Sequence, residues 1–249
     1  MNLSQNTVLI TGGGAGIGLA LATRFHAAGS TVLICGRDEA KLRAAAEQLP
    51  GLRTFVCDVA QAAERQRLFE WATTEAPQLN VLVNNAGIQR SVQLTEAEDW
   101  AVRASEIAIN VEAPIHLSTL FIPHLARQAS AYILNVSSGL GFVPLARVPI
   151  YSATKAAVHS FTLSLRQQLA ATPIQVVEII PPAVQTGLGD TDHSFGVPLA
   201  EYADSVMSQL AEGRPETTYQ FSAKTSQASR AELDAMFQQL NGQPAPARR

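Results

Sequence analysis

Short apolar runs alternate with longer amphipathic segments along almost the whole chain. The runs are rich in β-branched residues and mostly lack polar alternation, which is typical of strands buried on both faces of a parallel sheet. They occupy residues 7–10, 31–35, 53–57, 80–84, 131–136 and 174–180. The pattern therefore predicts a parallel sheet in the interior of the protein.

The segments between these runs have the composition of helices. They occupy residues 17–28, 38–49, 60–75, 96–128 and 151–170. Repeated alternation of strand and helix predicts βαβ units with right-handed crossovers. We therefore expect an α/β fold, with one doubly wound domain over residues 1–249, a mostly parallel sheet and helices on both faces. The proline-containing tail at about 242–249 is expected to be disordered.

Composition narrows the possible partners. The chain has 249 residues, 47% of them hydrophobic, and a net charge of −3, which favours neither a nucleic acid nor an anionic membrane as partner. No apolar run is long enough to span a bilayer. Cys35 and Cys57 have neither disulfide-framework nor metal-site spacing. We expect two buried thiols, no metal and a cytoplasmic location.

A glycine-rich turn, TGGGAGIG at residues 11–18, joins the first predicted strand to the first helix. Its spacing, Gly12-x-x-x-Gly16-x-Gly18, differs from the dinucleotide fingerprint G-x-G-x-x-G. A P-loop is excluded because Leu19 and Ala20 stand where lysine and serine or threonine are required. A helix N-terminus after such a turn offers free N–H groups to a phosphate. The position of the turn thus predicts a phosphate-binding site.

Tyr151 and Lys155 are four residues apart in a predicted helix, so both lie on one face. A free tyrosine has a pKa near 10, and a nearby ammonium group is expected to lower it. The pair would then serve as an acid and base near neutral pH. The alternative is an ordinary pair on a helix surface.

Polar residues also follow two of the predicted strands. Ser137 and Ser138 end the run at 131–136, where a hydroxyl either binds a substrate oxygen or shapes a turn. The segment NNAG (84–87) likewise ends a strand and suits a turn. Asn110 lies in a helical stretch although asparagine is a poor helix former, so it is either a surface residue or a polar group held inside.

In this order and spacing, the motifs resemble those of the short-chain dehydrogenase/reductase family over nearly the whole chain. They are TGGGAGIG (11–18), Asp58-Val59, NNAG (84–87), Asn110, NVSS (135–138) and YSATK (151–155). The resemblance implies a Rossmann-type fold and an NAD(P)-dependent oxidoreductase that transfers a hydride between a nicotinamide cofactor and a carbonyl or alcohol. Where the family often has P-G-x-V-x-T, this chain has PPAVQT (181–186), and this segment with DAMFQQLN (234–241) is similar to a bacterial DltE-like branch.

The resemblance also implies roles for individual residues. Tyr151 would donate the proton, Lys155 would lower its pKa and hold the nicotinamide ribose, and Ser138 would be the catalytic serine. Asn110 would anchor a water in a proton relay. The implied cofactor-binding residues are Gly12, Gly14, Ala15, Gly16, Ile17, Gly18, Arg37, Asp58, Val59, Asn85, Tyr151, Lys155, Val184 and Thr186.

The end of the second strand predicts which dinucleotide binds. An NAD-preferring site places an acid there, on the ribose 2′-hydroxyl. We align Gly36 with that acid, so that Arg37 pairs with a 2′-phosphate and Asp38 begins the next helix, which predicts NADP. The rival alignment puts Asp38 on the ribose and predicts NAD. Ala15 stands where NADP enzymes often have a basic residue, which argues for a modest preference.

Other interpretations remain open. A catalytically silent NAD(P)-binding regulatory or scaffold protein would share the fold, and epimerases or dehydratases use the same tyrosine but are usually longer. Surplus apolar residues on 96–128 and 151–170 predict a homodimer or homotetramer.

Two loops are candidates for the substrate side. The loop 139–150 carries Leu140, Phe142 and Leu145, which form either an apolar substrate pocket or part of the core. Residues 187–198 are expected to form a short mobile lid in which His193 is solvated.

Overall fold

The computed structural model describes residues 1–189 and 194–242. The predictions for His193 and for the tail beyond Gly242 lie outside the described residues. Within the described residues, no helix is long and apolar enough to cross a membrane. The cytoplasmic location stays a prediction.

All six predicted strands form, and they pair side by side in one parallel sheet. Within the described chain the sheet has seven strands in the order β3-β2-β1-β4-β5-β6-β7, and every pairing is parallel. The strands are β1 Thr7–Thr11, β2 Thr31–Gly36, β3 Arg53–Val56, β4 Val81–Asn84, β5 Ala131–Val136, β6 Ile174–Ile180 and β7 Glu216–Thr218. The order reverses beside β1, so the carboxyl ends of β1 and β4 flank the crevice where such sheets bind ligands.

The two edge strands depart from the sequence prediction. We expected β3 to be buried on both faces, but its residues alternate in exposure and Val56 is half-exposed. The physical reason is that only one face of β3 is covered there. The Phe55 ring stacks on Trp71 of the helix that follows β3, with the centroids 4.9 Å apart, while Thr54 and Val56 on the opposite face are exposed. The strand at the other edge, β7, was not predicted because three residues are too few to carry a hydrophobic pattern.

The helices follow the predicted segments with one interruption. They are α1 Gly16–Ala27, α2 Glu39–Gln48, α3 Ala62–Glu75, α4 Trp100–Ile107, α5 Ala113–Leu125, α6 Pro149–Gln168, α7 Leu199–Ala211, α8 Phe221–Thr225 and α9 Arg230–Asn241. The predicted segment 96–128 begins only at α4, because Asp99 caps the helix by accepting from the Ala101 N–H at 3.0 Å. A π-helical turn, Ala108–Glu112, then separates α4 from α5 and contains Asn110. We had predicted none of α7 to α9.

Helices cover both faces of the sheet, as predicted. On β1, Val8 and Ile10 face one core while Leu9 faces the other, because side chains alternate along a strand. Phe25 of α1 packs into the first core and Phe121 of α5 into the second, and both are fully buried. Burial of each such ring contributes roughly 2–3 kcal/mol. With both faces covered, the strand ends are left for a ligand.

Candidate active site

A cavity of about 1080 Å³ opens at the carboxyl ends of the strands. Its walls come from the turn after β1, the ends of β4, β5 and β6, the start of α6, and the segments around α8 and α9. Of the loop 139–150, Leu140 and Leu145 line the cavity as predicted. Phe142 does not, because its ring packs on the His159 ring with the centroids 4.5 Å apart.

The glycine turn has the geometry of a phosphate cradle. Gly12 and Gly16 have φ values of +65° and +54°, a conformation that side-chain-bearing residues rarely adopt. A Cβ on Gly18 would lie 2.4 Å from the Gly12 carbonyl oxygen, so only glycine allows this close approach. The N-cap of α1 is Ala15, which has no capping side chain, so the first N–H groups of the helix remain for a ligand. This turn fits the pyrophosphate of a dinucleotide.

The structure brings together most of the cofactor-binding residues implied by the sequence. Those that line the cavity are Gly12, Ala15, Gly16, Ile17, Asn85, Tyr151, Lys155, Val184 and Thr186. Gly14 and Gly18 belong to the same turn but do not line the cavity. Asn85 also holds the turn, since its side-chain amide donates to the Thr11 carbonyl at 2.8 Å.

Five of the implied residues do not line the cavity, namely Gly14 and Gly18 of the turn and three residues elsewhere. Arg37 is exposed at the end of β2. The Asp58 carboxylate accepts from the Ala60 N–H at 3.0 Å and shapes the turn before α3. Val59 packs in the core instead. The family resemblance implies that Asp58 and Val59 flank the adenine of the cofactor, and this role stays a prediction.

Lys41 is a cavity-lining cation that the sequence analysis missed. Lys41 lies three residues after the Asp38 cap, on the first turn of α2. A Cβ added to Gly14 would lie 3.3 Å from the Cβ of Lys41. Asp38 accepts from the Lys41 N–H at 3.1 Å, so Asp38 begins the helix as our alignment predicted. A basic residue on the first turn of this helix was the signal available in the sequence.

Ser138, Tyr151 and Lys155 meet in the cavity wall. Tyr151 and Lys155 lie one turn apart on α6 and are both buried. The Lys155 ammonium donates to the Val136 carbonyl at 2.8 Å and lies 5.5 Å from the centroid of the Tyr151 ring. The Ser138 hydroxyl accepts from the Leu140 N–H at 3.1 Å and lies close enough to the Tyr151 phenol to lower its pKa. Tyr151 and Lys155 are therefore buried neighbours and not a pair on the helix surface.

The direction of the Tyr151 pKa shift corrects the sequence analysis. We expected Lys155 to lower this pKa, but burial raises the pKa of Tyr151 to about 12. The Ser138 hydroxyl acts in the opposite direction, and the charge of Glu106 adds to the increase. Burial also lowers the pKa of Lys155 to about 8. Sequence reasoning included the charge of the lysine but could not include the loss of solvent around both groups.

Asn110 is a polar group held inside the protein. Its side-chain amide donates to the Ile88 carbonyl at 2.8 Å and to the Thr154 hydroxyl at 3.1 Å, while its oxygen accepts from the Ile88 N–H at 2.9 Å. A Cβ on Gly87 would lie 3.4 Å from the Asn110 oxygen and 3.6 Å from the Lys155 ammonium nitrogen, so the two groups are near neighbours. Asn110 does not line the cavity, and its role in holding a water stays a prediction.

Two buried carboxylates near Lys155 were also missed. Glu106, one turn before Asn110, is fully buried, and one oxygen accepts from the Arg90 N–H at 3.3 Å. Its other oxygen has no hydrogen-bond partner among the described residues. Glu178 on β6 is also fully buried and bonds His159 at 2.8 Å. The charges of both glutamates oppose the lowering of the Lys155 pKa. A lone acid in the apolar helix EIAIN was the signal for Glu106.

Comparison with known proteins agrees with this geometry. The family model described as short chain dehydrogenase matches residues 6–194. This chain belongs to the short-chain dehydrogenase/reductase family of oxidoreductases, and within it to the DltE-like subgroup. It is 48% identical over 250 residues to the "Uncharacterized oxidoreductase DltE" of Bacillus subtilis (strain 168), covering 98% of this chain and 99% of that protein.

Solved structures of the family have the same fold. A short-chain dehydrogenase from Sphingobium yanoikuyae in complex with NADPH is 25% identical, with a TM-score of 0.80 and coverage of 93% of this chain and 92% of that one. A 3-ketoacyl-(acyl-carrier-protein) reductase from Brucella melitensis complexed with NADH is 28% identical, with a TM-score of 0.78 and coverage of 90% and 95%. The two relatives were solved with different dinucleotides.

Replacing Glu106 by glutamine is expected to change how stability depends on pH. Burial raises the pKa of Glu106 from 4.5 to about 7, with Arg90 and Lys155 opposing the increase. An acid with a raised folded-state pKa stabilises the fold below its unfolded pKa and loses that contribution as pH rises through the folded value. Between pH 4.5 and 7, E106Q should therefore gain on the order of 2–3 kcal/mol of unfolding free energy relative to wild type.

Urea unfolding of both proteins across this pH range measures the effect. Glu96→Gln is the matched control, because Glu96 is an exposed carboxylate in the loop before α4. Parallel pH dependence of wild type and E106Q would contradict the assignment of a buried, titrating Glu106.

Proposed function

We propose that this protein is an NAD(P)-dependent oxidoreductase that interconverts a carbonyl and an alcohol, with Tyr151 as the general acid and base. The observation that carries the proposal is that Ser138, Tyr151 and Lys155 meet in the same cavity as the glycine turn. The dinucleotides named for the two solved relatives support a nicotinamide cofactor. When bound, that cofactor supplies the hydride.

The protein's own groups manage the proton. With its pKa raised to about 12, Tyr151 is protonated at neutral pH and is ready to donate to a carbonyl oxygen. The Ser138 hydroxyl and the Lys155 charge stabilise the phenolate that remains. Because the pKa of Lys155 is about 8, the lysine exchanges protons more readily near neutral pH than an exposed lysine does.

A silent cofactor-binding protein on the same fold is the alternative. Such a protein would be expected to lack the tyrosine or the lysine, whereas here both lie in the cavity wall. Oxidation of NADPH with a panel of carbonyl compounds separates the two, because only the enzyme turns over.

We also propose a preference for NADP. Asp38 caps α2 and so is engaged away from the ribose, which argues against the NAD alignment. Lys41 lines the cavity beside Gly14. Arg37, which comes shortly before Lys41 in the sequence, is exposed. Two cations at this end of the site favour a dianionic 2′-phosphate over a neutral hydroxyl.

Tyr151→Phe is expected to lower kcat by at least about a hundredfold, since general acid catalysis contributes factors of this size. The Kd for NADPH should change little, because only the transferable proton and one hydrogen bond are removed. Turnover assays and fluorescence titration measure the two quantities. Tyr132→Phe on β5 is the matched control and should retain activity. A Y151F enzyme with near-normal kcat would refute the assignment.

Arg37→Ala and Lys41→Ala are expected to weaken NADPH binding by about tenfold each while leaving NADH binding nearly unchanged, since a charge-assisted contact is worth roughly 1.5–3 kcal/mol. Titration of both dinucleotides into each variant measures this difference. Arg43→Ala is the control, because Arg43 is exposed on α2 and pairs with Glu39 at 3.5 Å. Equal affinities of the wild type for NADPH and NADH would overturn the NADP proposal.

We further propose that the protein forms a dimer or tetramer through α4, α5 and α6. The apolar side chains exposed on these helices support this, namely Trp100, Val102, Ile107, Ile115 and Leu163. A double charge substitution, Ile115→Lys with Leu163→Lys, should reduce the mass measured by light scattering at micromolar concentration. Val56→Lys, an exposed site on β3, should leave the mass unchanged. A monomeric wild type would contradict the proposal.

A further inference from the structure

Arg147 is a cation that lines the cavity, and its side chain has no hydrogen-bond or ion-pair partner among the described residues. It lies in the loop before α6, four residues ahead of Tyr151, and lines the cavity. Its Nε atom is buried and without a hydrogen bond, and within residues 1–189 and 194–242 its guanidinium makes no ion pair. Most other arginines of the described chain bond to carboxylate or carbonyl oxygens. A buried donor of this kind is costly unless something pairs with it.

The backbone beneath Arg147 is held from several sides. The Arg147 carbonyl accepts from the Val92 N–H at 3.0 Å. Asn241, at the end of α9, accepts from the Ala146 N–H at 2.7 Å and donates to the Pro144 carbonyl at 3.0 Å. These contacts join three segments that are distant in sequence. The loop is therefore fixed while the charged end of its arginine is left unpaired, which is how a preorganised binding group is built.

The charged side chains that line the cavity within the described residues are all basic. Its lining contains Lys41, Arg147 and Lys155, and no aspartate or glutamate among the described lining residues, although the whole chain has a net charge of −3. Lys41 lies beside the glycine turn, where a dinucleotide would bind, and the Lys155 ammonium bonds the end of β5. Arg147 is the third cation, and neither the dinucleotide nor the end of β5 supplies a partner for it.

The wall of the cavity that Arg147 lines is mixed in polarity. The side chains of Leu140, Leu145 and Phe221 supply apolar surface to the cavity. We propose that the substrate is a carbonyl compound with a small apolar body and an anionic oxygen group, a carboxylate or a phosphate, that pairs with the Arg147 guanidinium. Guanidinium suits both groups, because its planar fork matches two oxygens at once. This inference rests on the proposed oxidoreductase function.

The first experiment compares three aldehydes as substrates with NADPH: 4-formylbenzoate, its methyl ester, and 4-formylphenyl phosphate. At least one anionic aldehyde should have a kcat/KM about tenfold or more above that of the ester, since a charge-assisted pair contributes that much. The better of the two anions distinguishes a carboxylate site from a phosphate site. Arg147→Gln should raise KM for that anion by about tenfold or more and change KM for the ester less than twofold.

Two further variants test whether the effect of Arg147→Gln on KM is indirect. Arg147→Lys keeps the charge without the planar fork and should recover part of the loss. Arg127→Gln, at an exposed position just after α5, is the matched arginine control and should behave as wild type. The NADPH Kd should be the same for wild type and R147Q, whereas a tenfold weaker NADPH affinity would assign Arg147 to the dinucleotide and overturn the proposal.

A binding measurement separates failure of this inference from failure of the proposed function. Saturation-transfer NMR compares benzoate, phenyl phosphate and benzyl alcohol on wild type and R147Q, and it does not require turnover. An anion that binds wild type at least tenfold more tightly than R147Q supports the inference even if no aldehyde is reduced. Equal binding to both proteins, or turnover of the ester as fast as of the anions, refutes the anion site and leaves the oxidoreductase proposal standing.

Discussion

The ammonium group of Lys155 is buried at the end of β5, where it donates to the Val136 carbonyl at 2.8 Å. Burial of a charge is costly unless other groups compensate for it. The carbonyl and the charges of Glu106 and Glu178 provide that compensation, and the pKa of Lys155 still falls to about 8. The groups around this one charge come from α4, β5 and β6, while Lys155 itself lies on α6.

The same burial shifts the pKa values of both Tyr151 and Lys155. Loss of solvent raises the pKa of the phenol to about 12 and lowers the pKa of the amine to about 8. Burial therefore reverses the order that a charge effect alone would give, in which the ammonium lowers the pKa of the phenol below that of the amine. In the proposed reaction the protonated phenol would donate to a substrate oxygen, and the adjacent ammonium and Ser138 hydroxyl would stabilise the resulting anion.

Long-range contacts build the side of the cavity that carries Arg147. Asn241 and Ala146 are 95 residues apart, and their hydrogen bond of 2.7 Å ties α9 to the loop that carries Arg147. The C-terminal helix thus shapes the pocket although it contributes nothing to the sheet. The glycine turn at the other end depends on short-range geometry instead, because the positive φ values of Gly12 and Gly16 are local properties.

The sequence by itself determined the features that depend on nearest neighbours. Apolar runs predicted six strands, the glycine turn predicted a phosphate cradle, and the spacing of Tyr151 and Lys155 placed them on one helix face. Only the tertiary structure decided that β3 is an edge strand, that Glu106 and Lys41 belong near the site, and that burial raises the pKa of Tyr151. These properties arise when distant segments exclude water from one another, and no local pattern records which segments will meet.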